Sequence, residues 1–191
     1  MIISILLLGV SYGMLFGTLM TIQQTYEITF DRGQEFPWWF ALTSILAMTS
    51  SFINASLVQR LGMRPMISAA KLGQTIFSAL TAFVLWSGLL PQGMEFPVYF
   101  VWATSIFWMV GLTIGNLNAL ALEPMGHIAG LAASIVSCFG TVLGALIAIP
   151  IGLSFDGTPI PVMTGIAFTG FVGYLLVHLA KKQERLRPVS E

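Results

Sequence analysis

Charged residues are scarce in this sequence: Asp, Glu, Lys and Arg make up 8% of the 191 residues, whereas 56% are hydrophobic. Soluble domains carry about 25% charged residues, so this chain lacks the side chains needed to cover a soluble surface. Six windows contain no charged residue, and each is long enough for a bilayer-spanning helix of about 20 residues. They are 1–26, 36–59, 72–94, 96–122, 124–155 and 157–180. This composition predicts an all-α integral membrane protein, since no alternation with a period of two suggests a transmembrane barrel.

Cysteine and basic runs are also nearly absent. The single cysteine, Cys138, allows no intrachain disulfide and no cysteine metal cluster. The formal net charge is zero, and no basic run outside the C-terminal tail suggests nucleic acid as a partner. The N-terminal apolar run is longer than the core of a signal peptide and has no positive lead-in. We therefore predict a true first span.

Six spans are predicted from the apolar windows and from the Pro, Gly and Asp residues that mark most of the breaks. They cover approximately 2–23, 37–58, 67–89, 97–122, 128–153 and 161–180. Together they form a six-helix transmembrane domain over 1–180, followed by a basic tail over 181–191. The lipid bilayer is thus the first predicted partner.

Cations concentrate around the second connection and in the tail: Arg60, Arg64, Lys71, Lys181, Lys182, Arg185 and Arg187. The first, third and fifth connections contain one cation between them, Arg32. Because Lys and Arg accumulate in short cytoplasmic loops, both termini are predicted to be cytoplasmic. By this placement no charged residue lies near the centre of a span. Intramembrane charges usually mark proton pathways, so a proton-coupled function would need a carboxylate from elsewhere.

Two spans carry polar stripes at helical spacing. Span 4 has Thr104, Trp108, Gly111, Gly115 and Asn118, separated by 4, 3, 4 and 3 positions. Span 1 has a thinner stripe of Ser4, Ser11, Thr18 and Thr21, with Met14 beside it. Such residues either line a water-accessible cavity or let helices pack closely. Packing is favoured for the small residues, whereas both interpretations remain open for Trp108 and Asn118.

Small residues also form a face on span 5. They are Gly130, Ser134 or Ser137, Thr141, Gly144 and Ala148, and Gly140 with Gly144 forms a close-approach motif. Pro150 is expected to kink the outer end of this span. The pattern predicts a helix that packs against another helix.

Glu123 and His127 are four positions apart, as in a helical metal or catalytic site. Such a site needs a further ligand or partner, yet His178 is the only other histidine and lies near the end of span 6. Pro124 also disfavours helical geometry at Glu123. We therefore predict a cytoplasmic loop at 123–127, no enzyme activity, and no metal or other cofactor.

An internal echo is present at an offset of 98 residues. GMLFGTL (13–19) and GLTIGNL (111–117) share Gly-x-x-x-Gly-x-Leu. This similarity suits a three-plus-three helix repeat of the kind found in transporters, although Gly-rich apolar helices also produce such matches by chance.

The segment ASLVQRLGMR (55–64) resembles the loop signature of the major facilitator superfamily. Leu57, Arg60, Gly62 and Arg64 match in kind, the last with a shift of one residue, whereas Gln59 replaces the aspartate of the signature. NALALEPMGHIAGLAASI (118–135) resembles the helix 10–11 junction of drug:proton antiporters of the bicyclomycin/chloramphenicol-resistance type. The resemblance covers the chain as the C-terminal half, helices 7–12, of a twelve-helix transporter.

This resemblance implies a fold, a function and two sets of site residues. The substrate cavity would be lined from spans 1 and 4 by Ser11, Met14, Thr18, Thr104, Trp108, Gly115 and Asn118. Packing against the other half would involve Gly130, Ser137, Thr141 and Gly144 of span 5.

The implied function is proton-coupled efflux of small amphipathic compounds or drugs across the cell inner membrane. An N-terminal six-helix half is an implied partner, encoded in the same gene, in a neighbouring gene or by a second copy. The alternative is a non-transporting membrane fragment or packing subunit.

Overall fold

The computed structural model describes residues 2–185, without the side chains at 124, 127 and 181–185. Six helices make up almost all of this part of the chain: α1 (Ile2–Gln24), α2 (Phe36–Leu61), α3 (Met63–Ser87), α4 (Glu95–Leu122), α5 (Ala129–Leu153) and α6 (Ile160–Arg185). All six are long and apolar enough to cross a membrane. The prediction of an all-helical chain with six long apolar helices is confirmed, and these helices suggest a multi-pass membrane protein. Most of the predicted basic tail lies outside the described residues.

The connections are shorter than the sequence suggested. The spans predicted at 37–58 and 67–89 left several residues between them, but α2 and α3 are separated only by Gly62, whose φ of 83° is open to glycine at little cost. Gly88, with a φ of 63°, ends α3 in the left-handed conformation typical of helix C-termini. The segment Glu123–Ile128 is a 3₁₀ turn with a non-helical Met125, so α4 and α5 are not continuous.

Four helices form the centre of the bundle. α1 and α4 contact each other, α3 packs on α4 and α6, and α6 packs back on α1. α2 lies mainly against α4, whereas α5 lies mainly against α1. These principal contacts are unchanged when α1 is exchanged for α4, α2 for α5, and α3 for α6.

The buried core has two parts with different chemistry. Toward the end of the bundle that holds the 25–36 connection, Tyr26, Phe96, Tyr99 and Trp102 pack edge to face or at a tilt. Toward the other end the core is aliphatic, with Leu7, Leu8, Ile67, Leu117, Ala121, Val136 and Val177.

Candidate functional site

The contact between α2 and α4 is a ladder of polar pairs, which we term the polar seam. The Thr43 and Thr104 hydroxyls are 3.4 Å apart, and Trp108 Nε1 donates to Thr49 Oγ1 at 3.1 Å. One to two turns further along α2, Asn116 Nδ2 donates to Asn54 Oδ1 at 2.7 Å. Each pair supplies a hydrogen-bond partner to polar groups, which would cost free energy if they were left unpaired in apolar surroundings.

A glycine allows the helices of the polar seam to approach. A Cβ added at Gly111 would lie 3.0 Å from Ser50 Cβ and would also overlap Ser50 Oγ. Ser50 is fully buried there and donates to Ala47 O at 2.6 Å. Gly111 is thus required by the close packing of α2 on α4.

The predicted stripe on span 4 divides along its length. Thr104, Trp108 and Gly111 face α2 in the polar seam. Gly115 is exposed, with open space around the position of a Cβ, and Asn118 is half-buried. The buried asparagine of this helix is Asn116, which the stripe did not include.

The predicted cavity residues on span 1 lie inside the bundle. Ser11, Met14 and Thr18 are fully buried. Ser11 donates to Leu7 O at 2.8 Å, and Thr18 donates to Met14 O at 2.9 Å, so both hydroxyls are satisfied within α1. In this conformation the three residues do not share an open surface with Gly115 and Asn118.

The contact between α1 and α5 is built from glycines, and we term it the glycine seam: Gly9, Gly13, Gly17, Gly140 and Gly144. Cβ atoms at Gly9, Gly13 and Gly17 would lie within 3.0 Å of side-chain carbons of Leu143, Ile147 and Ile151, respectively. A Cβ at Gly144 would overlap Tyr12 and come within 3.2 Å of the Gly13 nitrogen. Each glycine therefore receives a side chain or backbone of the opposite helix.

This placement corrects the prediction for Gly144, which packs on α1 within the bundle rather than toward a second half. Its position opposite Gly13 leaves no room for another surface. Gly130, Ser137 and Thr141 are exposed on the outer side of α5. Those three residues stay available to a partner.

Lys71 corrects the prediction that no charged residue lies near the centre of a span. It is the ninth of the 25 residues of α3, four before the middle residue, and it is fully buried. Its Nζ lies 3.7 Å from Met14 Sδ of α1, and its stem lies against Gly173 of α6. From the sequence, Lys71 was grouped with the cations of the second connection, whereas the structure places it within α3.

A buried polar cluster follows Lys71 along α3. Gln74 Nε2 donates to Ser78 Oγ and to Ser105 Oγ, both at 3.1 Å. Trp102 Nε1 donates to the same Ser78 hydroxyl at 2.9 Å. The cluster joins α3 to α4 and satisfies its members without a charged group.

The residues of the resemblance to the transporter loop signature lie at or beside the α2–α3 junction. Leu57, Arg60 and Arg64 are exposed on the ends of the two helices, and Gly62 separates them. Glu123 is exposed in the 3₁₀ turn, whereas the side chain of His127 lies outside the described part. Among the described residues, no group of three His, Cys, Asp or Glu side chains is suited to hold a metal.

The opposite end of the bundle carries most of the acidic residues. Arg32 pairs with Glu35 at 3.0 Å, and the Glu35 carboxylate also accepts from Trp39 Nε1 at 2.8 Å. In the connection between α5 and α6, hydrogen bonds from the Thr158 hydroxyl and backbone lower the pKa of Asp156. These contacts order the loops and bring no acidic group into the interior.

Comparison of the chain with family models, curated proteins and solved structures gave no match.

Proposed function

We propose that this chain is one six-helix half of a secondary active transporter of the major facilitator type. With a second six-helix half it exports small amphipathic compounds in exchange for protons. Both termini are cytoplasmic, and the membrane is the cell inner membrane.

The observation that carries the proposal is the exchange symmetry of the helix contacts. α1 with α5 corresponds to α4 with α2, and α6 with α1 corresponds to α3 with α4. Internal three-helix repeats of inverted topology are characteristic of such transporter halves, and the substrate site lies between repeats near the bilayer midplane.

The internal sequence echo agrees with this symmetry at one contact. Gly13 of α1 receives Ile147 of α5, and Gly111 of α4 receives Ser50 of α2. The glycines are 98 positions apart and their partners 97, so the two contacts correspond almost residue for residue. The correspondence ends one turn later, because Gly17 is packed by Ile151 whereas Gly115 is open.

The need for a second half follows from the placement of the carboxylates. No Asp or Glu lies within the charge-free windows, and Glu35, Glu95 and Glu123 are exposed at helix ends. The coupling that the resemblance implies uses intramembrane carboxylates, and charged groups within spans usually mark proton pathways. In the family that the chain resembles, the coupling carboxylates belong to the N-terminal half.

The proposal is tested by reconstitution into liposomes with a proton gradient and ethidium as the transported compound. The chain reconstituted with an N-terminal half of a bicyclomycin-type antiporter is expected to export ethidium only when the gradient is imposed. The chain alone is the control and is expected to be inactive. Proton-driven export by the 191 residues alone would contradict the need for a second half.

A packing subunit without transport activity is the second candidate. The exposed small-residue face of α5 with Gly130, Ser137 and Thr141 favours it, because such faces associate with other helices. Six further hydrophobic spans encoded in frame or in a neighbouring gene would favour the transporter over this subunit.

A further inference from the structure

Among the residues that the structure describes, none places a carboxylate or another strong hydrogen-bond acceptor near the amine of Lys71. Its nearest polar contact is the Met14 thioether, at 3.7 Å from Nζ, and a thioether is a weak acceptor. The carbons of its stem lie close to Gly173, where an added Cβ would be 3.3 Å from Lys71 Cδ. A side chain at Gly173 would therefore press on Val10 and on the stem of the lysine.

The described titratable groups on α3 and on the helices packed against it lie elsewhere. They are Arg64, Tyr12, Glu95, Tyr99, Tyr174 and His178. Tyr12 faces Gly140 and Gly144 of α5. Glu95 and Tyr99 belong to the first turns of α4, at the aromatic end, whereas Lys71 lies toward the other end. The Tyr174 ring lies at a tilt against the exposed His178 ring, and Arg64 is exposed at the start of α3.

The only salt bridge among the described residues joins Arg32 to Glu35, far along the chain from this position. An unpaired ammonium in apolar surroundings is so costly that the group gives up its proton instead. A neutral amine can be buried there, because its nitrogen needs only weak contacts.

We propose that Lys71 is a proton-binding site built into the bundle. Its amine is neutral while α1, α3 and α6 are packed as in this structure, and it takes up one proton when these helices part and admit water. The ammonium loses that proton when the helices close again. Proton uptake by the amine is the only chemical step, so no other reactant is needed.

The site lies between the start and the middle of α3. Lys71 is eight residues from Met63, about 12 Å along α3 at 1.5 Å per residue. Gly170 and Gly173 keep α6 close to α3 at this level, since Cβ atoms there would meet Thr75 and Lys71. A small shift of α6 would therefore open a path for water to the amine.

Within the proposed transport function, Lys71 would be a proton-coupling group in this half, beside any carboxylate of the other half. Only this use of the proton rests on the proposed function. The protonation of Lys71 itself can be measured on the chain without transport.

The direct test uses the full chain in lipid nanodiscs, with lysine labelled by ¹³C at Cε. The sequence has three lysines, Lys71, Lys181 and Lys182, and the signal missing from Lys71→Met identifies Lys71. We expect this signal to titrate separately from the other two. Titration of all three signals together would overturn the proposal.

A second pair of variants separates protonation from packing. Arginine stays charged at any accessible pH, so Lys71→Arg is expected to lower the unfolding midpoint in SDS at every pH. Methionine is uncharged and of similar length, so Lys71→Met should retain the fold. In the wild type the midpoint should rise with pH, because the unfolded chain binds a proton that the packed bundle excludes, and Lys71→Met should lose this rise.

A Lys71→Arg protein as stable as the wild type would overturn the proposal, as would an unchanged pH dependence in Lys71→Met. The results for the protonation of Lys71 can be distinguished from the results of the transport assay. A shifted titration together with inactive reconstituted halves would support the Lys71 site and count against the transporter.

Discussion

The polar seam and the glycine seam occupy corresponding positions in the bundle but are held by different forces. In the glycine seam, Leu143, Ile147 and Ile151 of α5 fill the spaces over Gly9, Gly13 and Gly17. In the polar seam, α2 and α4 are joined by side-chain hydrogen bonds at Thr104, Trp108 and Asn116. Helices in lipid associate through close packing and through interhelical hydrogen bonds, and here each mechanism dominates one of two equivalent contacts.

The difference has a consequence for movement. The glycine seam is stable only at one distance between α1 and α5, because the dispersion attraction between the helices weakens steeply when a small gap opens. Hydrogen bonds between side chains can be exchanged for bonds to water if the helices part. We therefore expect α2 and α4 to separate more readily than α1 and α5.

The largest expected effect comes from filling the glycine seam. Gly13→Leu would place a side chain where Ile147 already lies, within 2.7 Å of a Cβ, and overpacking of this kind costs about 1–3 kcal/mol or more. SDS unfolding in mixed micelles should show this loss. Gly73→Leu is the matched control, because nothing lies within 4 Å of its Cβ position. Equal losses of stability in Gly13→Leu and Gly73→Leu would contradict the close packing of the glycine seam.

An intermediate effect is expected at the asparagine pair of the polar seam. A double-mutant cycle with Asn54→Ala and Asn116→Ala should give a coupling of roughly 0.6–1.7 kcal/mol, the range of hydrogen bonds between membrane helices. Asn116 also donates to Leu112 O at 2.8 Å. The single substitution Asn116→Ala should therefore lower the unfolding free energy more than Asn54→Ala does. Strictly additive changes would mean that the two side chains do not interact.

A smaller effect is expected for Trp108→Phe. The change removes the hydrogen bond to Thr49 at 3.1 Å and retains most of the aromatic surface. Its cost should be about 0.6 kcal/mol, and it should vanish in a Thr49→Val background. If Trp108→Phe lowers the unfolding free energy equally in the Thr49→Val protein, Trp108 contributes by packing alone.

The smallest effect on stability is expected for Asn118→Ala. Asn118 is half-buried and has no hydrogen bond to α2 among those described. The substitution should therefore change the unfolding free energy of the protein by no more than about 0.5 kcal/mol. In the chain combined with an N-terminal half, as proposed above, the same change is expected to alter the substrate profile. A large loss of stability with an unaltered profile would assign Asn118 to packing instead.

The sequence predicted the spans well because membrane helices require charge-free windows, which can be counted directly. It predicted less about which face of a helix points inward. Asn116 and Asn118 are two residues apart, or about 200° around a helix; the predicted stripe included Asn118, which is half-buried, and left out Asn116, which is buried. Only the position of α2 decides that Asn116 meets Asn54.

Two further differences have physical causes. The predicted spans left a connection of several residues between α2 and α3, yet Gly62 turns the chain alone. Lys71 was grouped with the cations around that connection, although α3 begins at Met63 and carries it into the interior. The turn at Glu123–Ile128 was anticipated, because proline and glycine interrupt helices locally without tertiary help.

Disulfide cross-linking tests the paired seams most directly. In a Cys138→Ser background, one protein carries Thr43→Cys with Thr104→Cys, and another carries Leu8→Cys with Gly140→Cys. The Thr43 and Thr104 hydroxyls are 3.4 Å apart, and a Cβ at Gly140 would lie 3.2 Å from Leu8 Cβ, close to disulfide geometry. Both pairs are expected to link under mild oxidation, while Thr43→Cys with Gly140→Cys stays unlinked. Linking of only one pair, or of the control, would contradict the exchange symmetry of the bundle.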